Sequence, residues 1–471
     1  MKLRKAITVL SLLGAVSVLA ACGPSTNSDS SGTGSGNDWE TPADYQAFEG
    51  DPKELTTTIE MWHTFGESSS PNYNNLKAIV TEFQNRYPNI TVNIVNHSSY
   101  DTIYTDLRYA VSAGTLPTMA IAYPDHVADY LESGVVENMA GYASDPIIGL
   151  GVDDDTEAGD LDDYYAGYLQ ESTDYARDGV YSMPWSKSTE VMFYNKTNFD
   201  EYGLTVPRTW EDLWEVCAQI KEIDPDVIPF GYDSDDNLFI TRLAQDNIPY
   251  TSLDSSSRFL FNNDQAKAVV RELKTNYDLG YMTTKGTSAN GSYTSTMFTN
   301  QELWMTVGST GGTSYNFTSN FEIGIAAVPQ SDTENPKVIS QGPSVCFFSS
   351  ASQDQLYAAW LFYKFATNSD NAANLSTLTG YNPVRRSAFE TDFYKDWATQ
   401  TATQGSSKLI RDALEFADDN YADAYFTSPA FRGSAVARTE VGGIITNVLL
   451  GTLTVDEAFS KAYSNSVIAG N

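Results

Sequence analysis

The sequence predicts an α/β protein built as two lobes. Three observations carry that expectation. The chain has 471 residues, 41% of them hydrophobic and 13% aromatic, a globular composition on a length beyond one compact core. From Thr58 to Ser133, strand and helix patterns alternate with short loops, which marks a parallel sheet covered by helices. Between Gly179 and Leu213 a strand start breaks off and a second strand follows, so Trp185 to Val191 reads as a crossing from one lobe to the other.

Taken in order, residues 1–21 read as a targeting segment. Lys2, Arg4 and Lys5 precede an apolar run, Ala6 to Ala21, too short for a good membrane span. The run ends Leu19-Ala20-Ala21-Cys22-Gly23, which resembles a bacterial lipobox with Cys22 as the lipidated residue of the mature chain. Residues 22–50, rich in Ser, Gly, Asn and Thr, read as a flexible tether with too little apolar surface to order itself. The folded part is expected from Leu55.

Thr58 to Trp62 is the first strand, ending at His63. Asn75 to Tyr87 carries apolar residues at helical spacing and stops at Pro88, and Ile90 to Ile94 alternates as a strand. Ser99 to Ala113 is a helix closed near Gly114, Met119 to Ala122 a short buried strand, and Asp125 to Ser133 a helix. The acidic run from Asp145 to Asp163 lacks the order of a calcium loop: Gly159 falls one place late relative to Asp153, and no Glu closes position twelve. It reads as a solvated surface loop.

In the crossing stretch, Gly179 to Met183 starts a strand that Pro184 and Trp185 interrupt. Glu190 to Tyr194 is a buried strand, and Thr209 with Asp212 predicts a capped helix start. Trp210 to Glu222, Phe239 to Asp246 and Asp264 to Asp278 read as helices, with an acidic loop after the strand Ile228 to Tyr232. Leu303 to Val307 is a buried strand leading into Gly308 to Gly312, a loop able to open a helix. Phe321 to Val328 and Lys337 to Phe348 are further strands, Ser352 to Thr367 a strong helix, and the C-terminal part helical, with Thr454 and Glu457 as a cap.

Lys plus Arg number 28 against 61 Asp plus Glu, a net charge of −33 that repels nucleic acid and anionic lipid. The three Cys form no disulfide framework: Cys217 and Cys346 lie in core patterns. Three His without HxxxH or CxxC spacing predict no metal site, and no cofactor motif is present.

Several segments together resemble the extracellular solute-binding proteins of ATP-driven importers, in the carbohydrate group that includes maltose-binding and glycerol-3-phosphate-binding proteins. They are Ile59 to His63, Phe83 to Ile90, Ser112 to Pro117, Tyr181 to Leu213, Met305 to Ser309, Thr379 to Ser387 and Gly451 to Ala462, in the family's order. The resemblance implies a two-lobed periplasmic-binding-protein-like fold of type II, with the ligand in a cleft between hinge-linked lobes. Lobe one would comprise 55–187 plus 344–378, and lobe two 190–340 plus 380–465. Crossings would fall near Lys187 to Val191 and near Ile339 to Phe347.

It also suggests ligand contacts. Trp62 either stacks on a sugar ring or packs in the core, and His63 sits at the cleft mouth. Tyr100 and Asp125 occupy loops near which the family places contacts; Asp125 stands one place after an acid of the glycerol-phosphate binders. Trp185, Ser188 and Glu190 belong to the crossing, where Glu190 is a hydroxyl acceptor or a hinge-strand partner. Ser309, with the amides of Gly308 to Gly312, could hold hydroxyls or a phosphate. Gly342 allows close backbone approach. Tyr381 is a contact in its turn, and Arg432 matches a phosphate-gripping arginine with its spacing to Arg438 altered by two residues.

The implied function is a monomeric, lipid-anchored binding protein on the outer face of the cytoplasmic membrane. It captures a sugar or oligosaccharide and delivers it to an ABC permease without reaction. Alternatives are a glycerol-3-phosphate or glycerophosphodiester binder, a secreted glycoside hydrolase using paired carboxylates, and an adhesion or sensor lipoprotein.

Overall fold

The computed structural model describes residues 39–151 and 161–471. The targeting segment, Cys22, the tether up to residue 38 and residues 152–160 of the acidic run lie outside the described residues. Twelve strands are found among the described residues. They are β1 (Thr57–His63), β2 (Ile90–Asn96), β3 (Met119–Ala122), β4 (Met183–Pro184), β5 (Glu190–Asn195) and β6 (Ile228–Tyr232), then β7 (Met282–Thr284), β8 (Leu303–Ser309), β9 (Ile323–Ala326), β10 (Val338–Ile339), β11 (Ser344–Phe347) and β12 (Tyr425–Phe426).

Two five-stranded sheets result. The first has the order β2-β1-β3-β11-β4, with β1 parallel to β2 and β3. The second has the order β7-β6-β8-β5-β9, with β6 parallel to β7 and β8. In each, a strand that arrives from the other lobe runs against the parallel set: β11 beside β3, and β5 beside β8. Each sheet has its own buried core, around Ile59, Phe83, Ile121, Phe347 and Trp360 in one, and Met192, Leu213, Phe230, Val307 and Ile445 in the other. A smaller core (Ala372, Ala373, Tyr394, Ile410, Leu414) joins the helices Ser369–Thr379 and Gly405–Tyr421.

Local chemistry accounts for the element ends. Ser99 Oγ accepts from the Thr102 amide, and Gly114, in the left-handed region at φ 68°, closes the helix Tyr100–Ala113. Thr209 and Asp212 exchange the two bonds of a capping box, as do Thr454 and Glu457. Two expectations need correction. Pro184 does not interrupt a strand but belongs to β4, which is tolerated because β4 is an edge strand. The acids after β6 are not a loop: Asp235 and Asp236 form the first turn of the helix Asp235–Gln245, where the helix dipole favours them.

The tether expectation also changes from residue 39 onward. Phe48 is buried with its ring edge-on to Tyr357, and Trp39 and Tyr45 pack on the first core. Asp145 accepts from the Tyr45 hydroxyl (2.9 Å) and the Phe48 amide (2.8 Å), and the Tyr357 hydroxyl donates to the Gln46 carbonyl (2.6 Å). A few well-placed aromatics order a segment whose average composition is polar.

Three segments pass between the lobes and lie side by side. Lys187 exchanges backbone bonds with Asn382 (3.4 and 2.6 Å), and Ser188 with Gln341 (2.9 and 2.8 Å). Gly342, at φ 91°, lies so close to the first crossing that a Cβ would overlap the Ser186 carbonyl oxygen. The fully buried Lys187 ammonium pairs with Glu171 and donates to the Gly342 carbonyl (3.1 Å) and Ser344 Oγ (3.0 Å). Ser340 Oγ donates to the other Glu171 oxygen at 2.6 Å.

If residues 39–50 are part of the folded body, Phe48→Ala leaves a cavity costing about 3 kcal/mol. Urea denaturation of the mature chain reads that loss; an unchanged midpoint would return the segment to the tether.

Candidate functional site: a cleft at the strand ends of both sheets

Residues that follow β3, β6 and β7, together with the second crossing, line one cavity of about 760 Å³. Ligand sites in open α/β sheets lie beyond the carboxyl ends of the strands, and this volume suits a small organic molecule. The first wall begins at Tyr123, which caps the helix Pro124–Glu132, with Asp125 in its first turn. The Tyr123 ring meets Tyr100 edge-on at 4.8 Å and His126 at 5.8 Å, and His126 stacks on Tyr104 at 4.4 Å. Burial lowers the His126 pKa despite Asp125, Asp101 and Asp129 around it, so its ring is neutral near pH 7. The Tyr104 hydroxyl donates to Asp129.

The opposite wall is a hydrogen-bonded chain. Arg438, on the helix Ser434–Leu449, binds Asp236 through Nε at 2.7 Å and donates to the Asn237 side-chain oxygen. Asn237 Nδ2 donates to Glu190 at 2.8 Å, and the Tyr232 hydroxyl donates to the other Glu190 oxygen. Burial pulls the guanidinium of Arg438 down, but Asp236 and Asp125 outweigh it and raise its pKa overall. Ile339, Ser340, Gln341, Gly342 and Glu171 form the floor. Among the described residues no group of three or more His, Cys, Asp or Glu could hold a metal ion. Nor is any helix there long and apolar enough to cross a membrane.

Of the residues expected from sequence, Asp125 and Gly342 line this cavity. Glu190 lies behind its wall, 2% exposed and bonded to Asn237 and Tyr232. Tyr100 and Tyr381 interact side chain to side chain, and the Tyr381 ring packs over Gly311, where a Cβ would stand 3.0 Å from it. Ser309 Oγ is engaged by the Gly311 amide (3.2 Å) as the cap of a short 3-10 turn. Ser188 is held by its backbone bonds to Gln341.

The remaining expected residues lie away from the cavity lining. Trp62 packs on the first core, its ring 4.4 Å from His97 and its Nε1 donating to Glu60 at 2.8 Å. His63 is not at a mouth: it is fully buried on the inward face of β1 with Ile59 and Met61. Its Nδ1 accepts from the Phe65 amide, and burial, then His97, pulls its pKa down to about 4. Trp185 is buried among Phe65, Phe362 and Tyr363. Arg432 is exposed, and the arginine of the cavity is Arg438. Tyr123, His126, Glu171, Asp236 and Asn237 were not singled out from sequence. The strand-end rule applied to β3 and β6 alike would have found four of them, since all but Glu171 follow those strands within a few residues.

Burial pushes the Glu190 carboxyl up from 4.5 to about 7, against the opposing bonds from Tyr232 and Asn237. Between those pH values the folded chain keeps a proton that the unfolded chain releases. Stability from this group is therefore lost as pH rises from 4.5 through 7. Glu190→Gln mimics the protonated acid, so at pH 8 it is more stable than the parent by roughly 3 kcal/mol, with the difference vanishing near pH 4.5. Urea denaturation at both ends of the range measures this; a pH-independent difference would contradict it.

Residues 78–402, more than half the chain, match the family described as bacterial extracellular solute-binding protein. The chain is 27% identical over 224 residues to the multiple sugar-binding protein of Streptococcus mutans, covering 47% of this chain and 42% of that one. It is likewise 27% identical over 230 residues to the sn-glycerol-3-phosphate-binding periplasmic protein UgpB of Brucella melitensis, covering 45% and 52%. The chain thus spans about half the length of these curated relatives. Among solved structures it resembles UgpB from Mycobacterium tuberculosis in complex with glycerophosphocholine (TM-score 0.69, 18% identity, 88% of this chain and 98% of that one). It also resembles the cyclic α-maltosyl-1,6-maltose binding protein from Arthrobacter globiformis (TM-score 0.68, 20% identity, 88% and 99%). At these identities the likeness speaks for the two-lobed, type II binding-protein fold. By the match over residues 78–402, the chain belongs to the bacterial extracellular solute-binding protein family.

Proposed function

We propose that this protein captures a sugar or oligosaccharide in the cleft and delivers it, unreacted, to an ABC permease. The observation that carries the reading is the cavity itself: aromatic rings and paired polar groups at the strand ends of both sheets, floored by the second lobe crossing. Sugars offer apolar faces to rings such as Tyr123 and hydroxyls to groups such as Asp125, Asp236, Asn237 and Arg438. The sugar-binding relative from Streptococcus mutans supports the ligand class. Delivery without reaction is supported by Glu190, the carboxyl pushed up to about 7, being buried behind the wall and hydrogen-bonded.

The lobes proposed from sequence, 55–187 plus 344–378 and 190–340 plus 380–465, are supported by the membership of the two sheets, with residues 39–50 added to lobe one. The protein acts as a monomer, anchored by lipid at Cys22 to the outer face of the cytoplasmic membrane after removal of residues 1–21; the lipobox-like run before Cys22 supports this. Glycerol-3-phosphate or a glycerophosphodiester is the second reading. Arg438 in the cavity and the UgpB relatives favour it.

Thermal unfolding against neutral sugars, glycerol-3-phosphate and glycerophosphocholine separates the readings. A ligand at a thousandfold its Kd adds about 4 kcal/mol. Stabilisation by a sugar, lost in Tyr123→Ala, is the expected result. Stabilisation by the phosphate compounds alone would replace the sugar reading, and turnover of a chromogenic glycoside would overturn binding without reaction. Cys22→Ser should move the protein from the membrane fraction to the medium; unchanged membrane retention would contradict the anchor.

A further inference from the structure

The charges around the cavity do not balance. Glu171 is matched by the buried Lys187. Lys285 stands over the Tyr293 ring at 3.7 Å, and Asp233 feels its charge. Arg438 is bound by Asp236 and Asn237 and feels Asp125 as well. One guanidinium therefore faces Asp236 and Asp125 together, and the other cation of the lining, Lys285, makes its contact with Tyr293 rather than with Asp101. Neither Asp101 nor Asp125 has a hydrogen-bond or ion-pair partner among the described residues. Both act on the neutral His126, which offers no compensating charge. Arg108, whose guanidinium lies over the outer Tyr104 ring at 5.5 Å, is exposed and does not line the cavity.

We propose that the ligand carries a protonated amine seated against the carboxylates of Asp101 and Asp125, which makes the substrate class an amino-substituted sugar. This rests on the reading of the cleft as a sugar site and adds the ligand's charge to it. The amine would restore neutrality in a closing cleft, where water leaves and an unpaired carboxylate becomes costly. The rings of Tyr123 and Tyr104 beside these acids give a cation a second attractive surface. A phosphate ester would bring its charge against two free carboxylates, while Arg438 is already bound by Asp236 and Asn237.

The test compares ligands that differ only in charge: glucose, glucosamine and glucose 6-phosphate, the galactose counterparts, and cellobiose against its diamino analogue diglucosamine. Isothermal titration calorimetry at pH 7 on the mature chain should show the amine forms binding at least tenfold tighter than the neutral parents, the worth of about one charge-assisted hydrogen bond. In Asp101→Asn the amine forms should lose about that factor while the neutral parents change little; in Asp125→Asn, where hydroxyl contacts are lost as well, both should weaken, the amine forms by about tenfold more. Unliganded melting curves report whether each variant is folded, and the exposed position of Asp101 keeps one variant available if the other is not. Neutral or phosphorylated forms binding as tightly as the amines would overturn the charge assignment and leave the sugar reading standing. Failure of every sugar in the series, charged or neutral, would overturn the sugar reading and this inference with it.

Discussion

The buried ammonium of Lys187 is the point on which the two halves of the molecule meet. It stands on the first crossing, bonds the carbonyl of Gly342 and the hydroxyl of Ser344 on the second, and shares backbone bonds with Asn382 on the third. Its counter-charge, Glu171, reaches back to Ser340. An ion pair this deep is no great source of net stability, because desolvation offsets most of the attraction. Breaking it by removing one partner is severe, since the other is left charged and dry. What the pair supplies is alignment: three separate stretches of chain are held in one register, so they can bend together.

That alignment places the strand ends. With β4 and β5 on the first crossing and β10 and β11 on the second, the carboxyl ends of β3 in one sheet and β6 in the other open onto the same cavity. Gly342 permits the closeness of the crossings, because any side chain there would strike the backbone beside Lys187. From Lys187 through Glu171 the hinge touches the cavity floor, and from Glu190 through Asn237 it touches Arg438 in the wall. Hinge and site are thus one hydrogen-bonded structure, so a ligand that drew the two walls together would act directly on the crossings.

Much of this was legible in the chain because it is local. Met119–Ala122 and Ile228–Tyr232 are short apolar runs with clear ends, and the caps at Thr209 and Thr454 are set within three residues. The crossing at Lys187 was visible as a polar interruption between a strand start and a buried strand. Less local features were not. The ordering of residues 39–50 depends on Asp145 and Tyr357, about a hundred and three hundred residues away, and no periodicity announces three spaced aromatics. The choice between Arg432 and Arg438 depends on whether the turn before the helix Ser434–Leu449 or the helix itself meets the cleft, which packing decides. His63 was within reach: it shares the inward period of Ile59 and Met61, and that alternation places it in the core.

If the Lys187 clamp makes three crossings act as one hinge, the distance between the lobes depends on it. Spin labels at Glu82 and Glu211, both exposed, report it by double electron–electron resonance. Replacing Lys187 and Glu171 together by Met and Leu removes the clamp without leaving a lone buried charge. One narrow distance distribution is expected in the parent and a clearly broader one in the double variant, with circular dichroism unchanged. Equal widths in the two proteins would contradict it.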